Sequence, residues 1–216
     1  MHATEEEQVE ALKKWWKQNG TSVVSGLLIG LAVLLGGKAW FGYQERTKAN
    51  ASNLYAQMMN ALEQDRDEEA RNHANAIISG YSNTGYAPLT ALALARIAVN
   101  SGELEAAQAQ LQWAIDHSDS DAVKHMAQQR LVRVMISLED YSAAQQLLGA
   151  SGEQGAYHYR YAALRGDLAK AQGQLAEAAL AYKEALDQMP EQAPDAGLIR
   201  VKYEMLANLI PEPAAQ

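Results

Sequence analysis

The side chains of this 216-residue sequence best suited to acid–base or metal chemistry are His73, His117, His125 and His158, with the acidic pairs Asp119 with Asp121 and Glu139 with Asp140. None of these histidines stands at a close metal-ligand spacing from another, so surface or half-buried histidine is the expectation for all four. The acidic pairs are expected to start helices or close turns. The sequence contains no nucleophile elbow, phosphate-binding glycine loop, H-E-x-x-H or dinucleotide fingerprint. Cysteine is absent, which excludes a disulfide scaffold, a thiolate metal site and a cysteine nucleophile. An enzyme is therefore not expected, nor any cofactor. Binding chemistry is better served: Arg96 and Arg133 carry guanidinium groups, which pair well with carboxylates. They either receive an acidic or C-terminal group of a peptide, or stay solvated and paired with local acids. The choice depends on the elements that hold them.

Those elements are helices. Alanine, leucine, glutamine and glutamate dominate, phenylalanine occurs once and proline five times, a composition of helices rather than of a β-sandwich. Self-similarity sets the register. In GQLAEAALAYKEALDQMP, Gly173, Leu175, Ala178, Tyr182, Ala185 and Pro190 fall where a tetratricopeptide (TPR) motif places its turn glycine, alternating small and large residues and terminating proline. GELEAAQAQLQWAIDHS repeats the pattern with Gly102, Leu104, Ala107, Leu111 and Ala114, EDYSAAQQLLGAS with Tyr141, Ala144 and Leu148, and DEEARNHANAIIS with Ala70, Ala74 and Ile77. The landmarks Ala70, Ala107, Ala144 and Ala178 step by 37, 37 and 34 residues. Three added residues fit a longer loop or an extra turn of helix. Small residues are needed where paired helices approach closely, so Ala91, Ala95 and Ala98 should face Ala107 and Ala114. In this register the first helices of successive hairpins line a concave surface, presenting Leu89, Leu92, Arg96 and Val99, then Met126, Gln129, Arg133 and Ile136. An apolar stripe of Leu198, Val201, Met205 and Leu209 is expected to cap the array, and a disordered tail to follow at 211–216.

Between Gln18 and Gly37 runs QNGTSVVSGLLIGLAVLLGG, 20 residues without a charge. At ~1.5 Å per residue this helix is about 30 Å long, enough to span a membrane. Trp15 and Trp16 precede the run and Trp40, Phe41 and Tyr43 follow it, as two aromatic belts. A core helix of a soluble protein is usually shorter and amphipathic, and GGKAWFGYQ lacks an A-x-A-like cleavage site, so a retained signal anchor over 18–43 is expected. Three basic residues flank each end, and charge leaves the orientation open. Ser22, Gly26 and Gly30 share one face of the span, where a second helix can approach. Before it, Thr4 and Glu7 form a capping box for a short amphipathic segment over 1–17. No glycine or proline occurs from Gln44 to Ser79, so the membrane helix can run on into the first repeat helix. The chain after residue 48 holds 12 Lys and Arg against 21 Asp and Glu, and an acidic domain is a poor binder of nucleic acid.

VEALKKWWKQNG, the glycine-bearing anchor, the WFGYQ exit and the repeat around GYAPLTALALARIAVNSGELEAAQAQL together resemble the YfgM family, the ancillary subunit of the SecYEG translocon of Gram-negative bacteria. The resemblance covers nearly the whole chain. It implies an all-α, single-pass type II inner-membrane protein with a cytoplasmic N-terminus and a TPR-like periplasmic domain over 44–210. It also implies a non-enzymatic role beside SecYEG, helping to hand newly exported chains to periplasmic chaperones such as PpiD. The competing expectation is a membrane-anchored scaffold that self-associates through Ser22, Gly26 and Gly30, or restrains a cytosolic regulator through residues 1–17.

Overall fold

A computed structural model describes residues 5–151 and 155–210, and all regular structure within them is helical. The chain divides into two units, 1–50 and 51–216. Helix α1 (Glu5–Glu63) carries the whole first unit and ends in the second, so the helix does continue past the apolar run. Its apolar segment is bare: Leu27 is 73 % exposed and Leu34 72 %. A helix apolar on every face has no place in water, and this one is long and apolar enough to cross a membrane. The capping box and the tail at 211–216 fall, at Thr4 and throughout, outside the described residues.

The second unit is built from α2 (Asp67–Gly80), α3 (Tyr86–Asn100), α4 (Leu104–His117), α5 (Asp121–Ser137), α6 (Tyr141–Ser151), α7 (His158–Ala171), α8 (Leu175–Gln188) and α9 (Ala196–Glu204). Four hairpins pair the end of α1 with α2, α3 with α4, α5 with α6 and α7 with α8. One turn closes all four. Asp65, Gly102, Glu139 and Gly173 lie in the left-handed region, with φ of 54°, 78°, 61° and 79°. The amide after each donates back across the turn, from Arg66 to Ala61 O, Glu103 to Ala98 O, Asp140 to Met135 O and Gln174 to Ala169 O, at 2.8–2.9 Å. This is the six-to-one hydrogen bond of a Schellman turn, satisfying a carbonyl that the ending helix leaves open.

The turn residues step by 37, 37 and 34, the same intervals as the landmark alanines. Each alanine donates its amide to the residue just after the turn, as in Ala107 N to Glu103 O at 3.0 Å, and so closes the first hydrogen bond of the second helix. All four alanines are fully buried. Ala91, Ala95 and Ala98 share one core with Ala107 and Ala114, where the two helices of the hairpin pack together. The longer middle repeat shows its extra residues as helix: α5 has 17 residues against 14 in α7.

The closest approach is in the last hairpin. A Cβ on Gly166 would lie 2.5 Å from the ring of Tyr182, whose hydroxyl donates to Asp167 at 2.8 Å and cannot swing aside freely. Glycine is required there by space rather than by φ.

The C-terminal cap differs from the expected stripe. Leu198, Val201, Met205 and Leu209 are exposed, and α9 docks instead through Ile199, Tyr203 and, beyond its end, Leu206. Residues 199, 203 and 206 are as good a helical stripe as 198, 201 and 205. Lys202 selects between them, its ammonium reaching Asp167 Oδ1 at 2.5 Å and lying over the Tyr182 ring. That ion pair turns the neighbouring Ile199 inward.

Candidate peptide-binding groove

The first helices of the second and third hairpins, α3 and α5, pack side by side, with α4 between their far ends. A cavity of about 330 Å³ opens there. Its walls are mainly apolar, from Ala95 and Val99 on α3, Leu104 and Leu111 on α4 and Val134 on α5, and three guanidiniums line it: Arg96, Arg130 and Arg133. Arg96 and Arg133 each stand six residues before their left-handed turn residue, so the repeat itself brings them into neighbouring positions. Arg130 is one helical turn before Arg133 and shares its face.

Among the described residues, none of these three guanidiniums has an ion-pair or hydrogen-bond partner. Burial lowers the Arg130 guanidinium from its ordinary value, and the positive charges of Arg133 and then Arg96 push it the same way. Like charges gathered beside apolar walls repel one another, and an anion placed among them relieves that cost. The equivalent of Arg96 and Arg133 in the last repeat is Asp167, already engaged by Tyr182 and Lys202. The positive column thus ends inside the array.

Sequence reasoning placed Leu89, Leu92, Arg96 and Val99, then Met126, Gln129, Arg133 and Ile136, on this surface. Arg96, Val99 and Arg133 line the cavity, and Met126 is exposed farther along α5. Leu92 and Gln129 are buried, while Leu89 and Ile136 pack partly against the core. The open face of α5 is Met126, Arg130, Arg133 and Ser137, and Arg130 was missed. Its signal was available: 126, 130, 133 and 137 fit the helical period as well as 126, 129, 133 and 136 do.

The histidines find structural partners. His117 stacks on Trp113 at 4.0 Å, and His125 stacks on Tyr157 while its Nδ1 lies 2.7 Å from the hydroxyl of Tyr161. Tyr161 donates to Gln128, and burial, with Tyr157 beside it, pushes its pKa up to about 12. His158 and Arg165 both donate to Glu184 Oε1, at 3.2 and 2.8 Å. Burial alone would raise the Glu184 carboxyl, but those hydrogen bonds and the nearby positive charge hold it below the usual carboxylate range. Glu139 is the left-handed turn residue, and Asp140 caps α6 by accepting from the Ala143 amide at 3.1 Å. Among the described residues no three His, Asp or Glu side chains gather as metal donors.

In the first unit, Ser22, Gly26 and Gly30 lie on the exposed length of α1. A Cβ added at Gly26 or Gly30 would meet nothing within 4 Å.

A family model described as a tetratricopeptide repeat-like domain matches residues 13–208 of the chain. The chain is also similar to curated proteins named ancillary SecYEG translocon subunit. That of Haemophilus influenzae is 28 % identical over 182 residues, covering 84 % of this chain and 88 % of the relative. That of Escherichia coli is 29 % identical over 155 residues, covering 72 % and 74 %, and that of Neisseria gonorrhoeae is 23 % identical over 209 residues, covering 95 % and 98 %.

Proposed function

Because this chain belongs to the tetratricopeptide repeat-like domain family, we propose that it is a non-catalytic ancillary subunit of the SecYEG translocon that passes exported proteins to periplasmic chaperones such as PpiD. In this reading α1 crosses the inner membrane once from a cytoplasmic N-terminus. The repeat domain, 44–210, is periplasmic and binds through the surface around Leu89, Leu92, Arg96, Val99, Met126, Gln129, Arg133 and Ile136. The observation that carries the reading is the coverage of the relatives: the similarity to proteins named as translocon subunits runs through anchor and repeats alike. A repeat array offering a groove and an apolar anchor is built to hold partners together. The test is co-purification of the full chain in mild detergent, with photocrosslinkers at Gly26 and Arg96. SecYEG recovered with the chain, and PpiD crosslinked to it, are the expected results. Loss of both from a wild-type preparation whose translocon is intact would sink the proposal.

A second reading, a self-associating membrane scaffold, is favoured by the open helix face at Gly26 and Gly30. It predicts that Gly26→Leu with Gly30→Leu abolishes self-association measured by energy transfer in vesicles. Unchanged transfer would remove it.

A further inference from the structure

We propose that the cavity between α3, α4 and α5 receives the C-terminal carboxylate of a polypeptide ending in an apolar residue, with Arg96, Arg130 and Arg133 as its anion-binding groups. The inference rests on the reading of the repeats as a binding domain and narrows what they bind.

The rest of the domain shows why this cluster is unusual. Its other partly buried cations meet acids: Arg71 pairs with Glu103, Arg160 with Asp195, Arg165 with Glu184 and Lys202 with Asp167. The chain beyond residue 48 has more acids than bases, so partners for cations are plentiful. Three guanidiniums left unpaired in one cavity, among the described residues, form a site whose complement comes from outside the chain. Guanidinium forks match a carboxylate bidentately, and three of them around one anion supply both charge and direction.

The walls decide which carboxylate. The cavity, at about 330 Å³, is at the small end of ligand sites and is faced by Val99, Leu104, Leu111 and Val134. Such a space suits one apolar side chain rather than a long segment. Only the last residue of a chain carries an apolar side chain and a carboxylate on the same Cα. An internal aspartate or glutamate places its charge at the tip of its own side chain and leaves the apolar walls unfilled. The acidic remainder of the domain also repels extended polyanions, which need a positive track rather than a positive spot.

The experiment uses the full chain in detergent micelles and a fluorescein-labelled ten-residue peptide ending in leucine, read by fluorescence anisotropy. The free-acid peptide is expected to bind, and its C-terminal amide to bind at least tenfold more weakly. Arg130→Gln and Arg96→Gln should each weaken the free acid about tenfold while leaving the thermal melt unchanged, and Arg130→Lys should fall between. Equal binding of acid and amide, no binding of either, or full affinity in Arg130→Gln overturns the proposal. A peptide with an amidated end and an internal glutamate that binds as tightly as the free acid overturns it too. Co-purification with SecYEG is scored separately on the same preparations. An acid-selective chain that fails to recover SecYEG supports the cavity and defeats only the translocon reading. A chain that recovers SecYEG but ignores the peptide does the reverse.

Discussion

Gly166 and Glu139 are both held by backbone or space, and they answer substitution in opposite directions. At Gly166 a methyl group would collide with a Tyr182 ring that is fully buried and tied to Asp167. Gly166→Ala should cost about 1–3 kcal/mol, seen as a lower midpoint in thermal unfolding, and an unchanged midpoint would show that the ring yields. Glu139 occupies the turn position that glycine fills in two other repeats, at φ 61°. Relief of ~1–2 kcal/mol of left-handed strain outweighs ~0.5–1 kcal/mol of added unfolded-chain freedom, so Glu139→Gly should raise the melting temperature slightly. A fall would mean that the Glu139 side chain holds the turn. Glu184 provides a pH signature. Its folded carboxyl lies below its unfolded value of ~4.3, so its contribution is present above that pH and lost as pH falls through the folded pKa. The stability gap between the wild type and Glu184→Gln should therefore be widest near neutrality and close in acid. A gap independent of pH would assign the loss to packing. The alanine landmarks were legible in the sequence because burial at close helix contact restricts residue type. Arg130 was not, because an arginine is tolerated equally on any open helix face.

Among the elements, α9 separates pattern from packing most clearly. Its apolar residues form two adjoining stripes, and the pair of Lys202 with Asp167 decides which one faces the array. Ile199→Ala should cost about 2 kcal/mol, whereas Leu198→Ala should stay within ~0.5 kcal/mol. Equal losses in denaturant unfolding would restore the stripe read from the sequence. Helix α1 needed no such arbitration. Its charge-free run, aromatic flanks and lack of breakers specify a long apolar helix locally, and the structure extends it to Glu63. The four hairpin turns were half legible: glycine marks two of them, while Asp65 and Glu139 reach the same conformation without a glycine signal.

For the molecule as a whole, the proposed topology makes a direct prediction. The chain has no cysteine, so Glu10→Cys and Ala106→Cys, both at exposed positions, are clean single labelling sites. In cells with a permeabilised outer membrane, a membrane-impermeant maleimide should label Ala106→Cys and spare Glu10→Cys. The opposite pattern would invert the orientation. The sequence by itself determined the helical class, the apolar anchor and the 37, 37 and 34 spacing, because each is local or periodic along the chain. Tertiary structure alone decided how each repeat helix is rotated about its axis. One residue turns a helix face by about 100°, and several neighbours must be packed at once before that rotation is set. That rotation brings Arg130 beside Arg96 and Arg133, buries Leu92 and Gln129, and turns Ile199 rather than Leu198 toward the core.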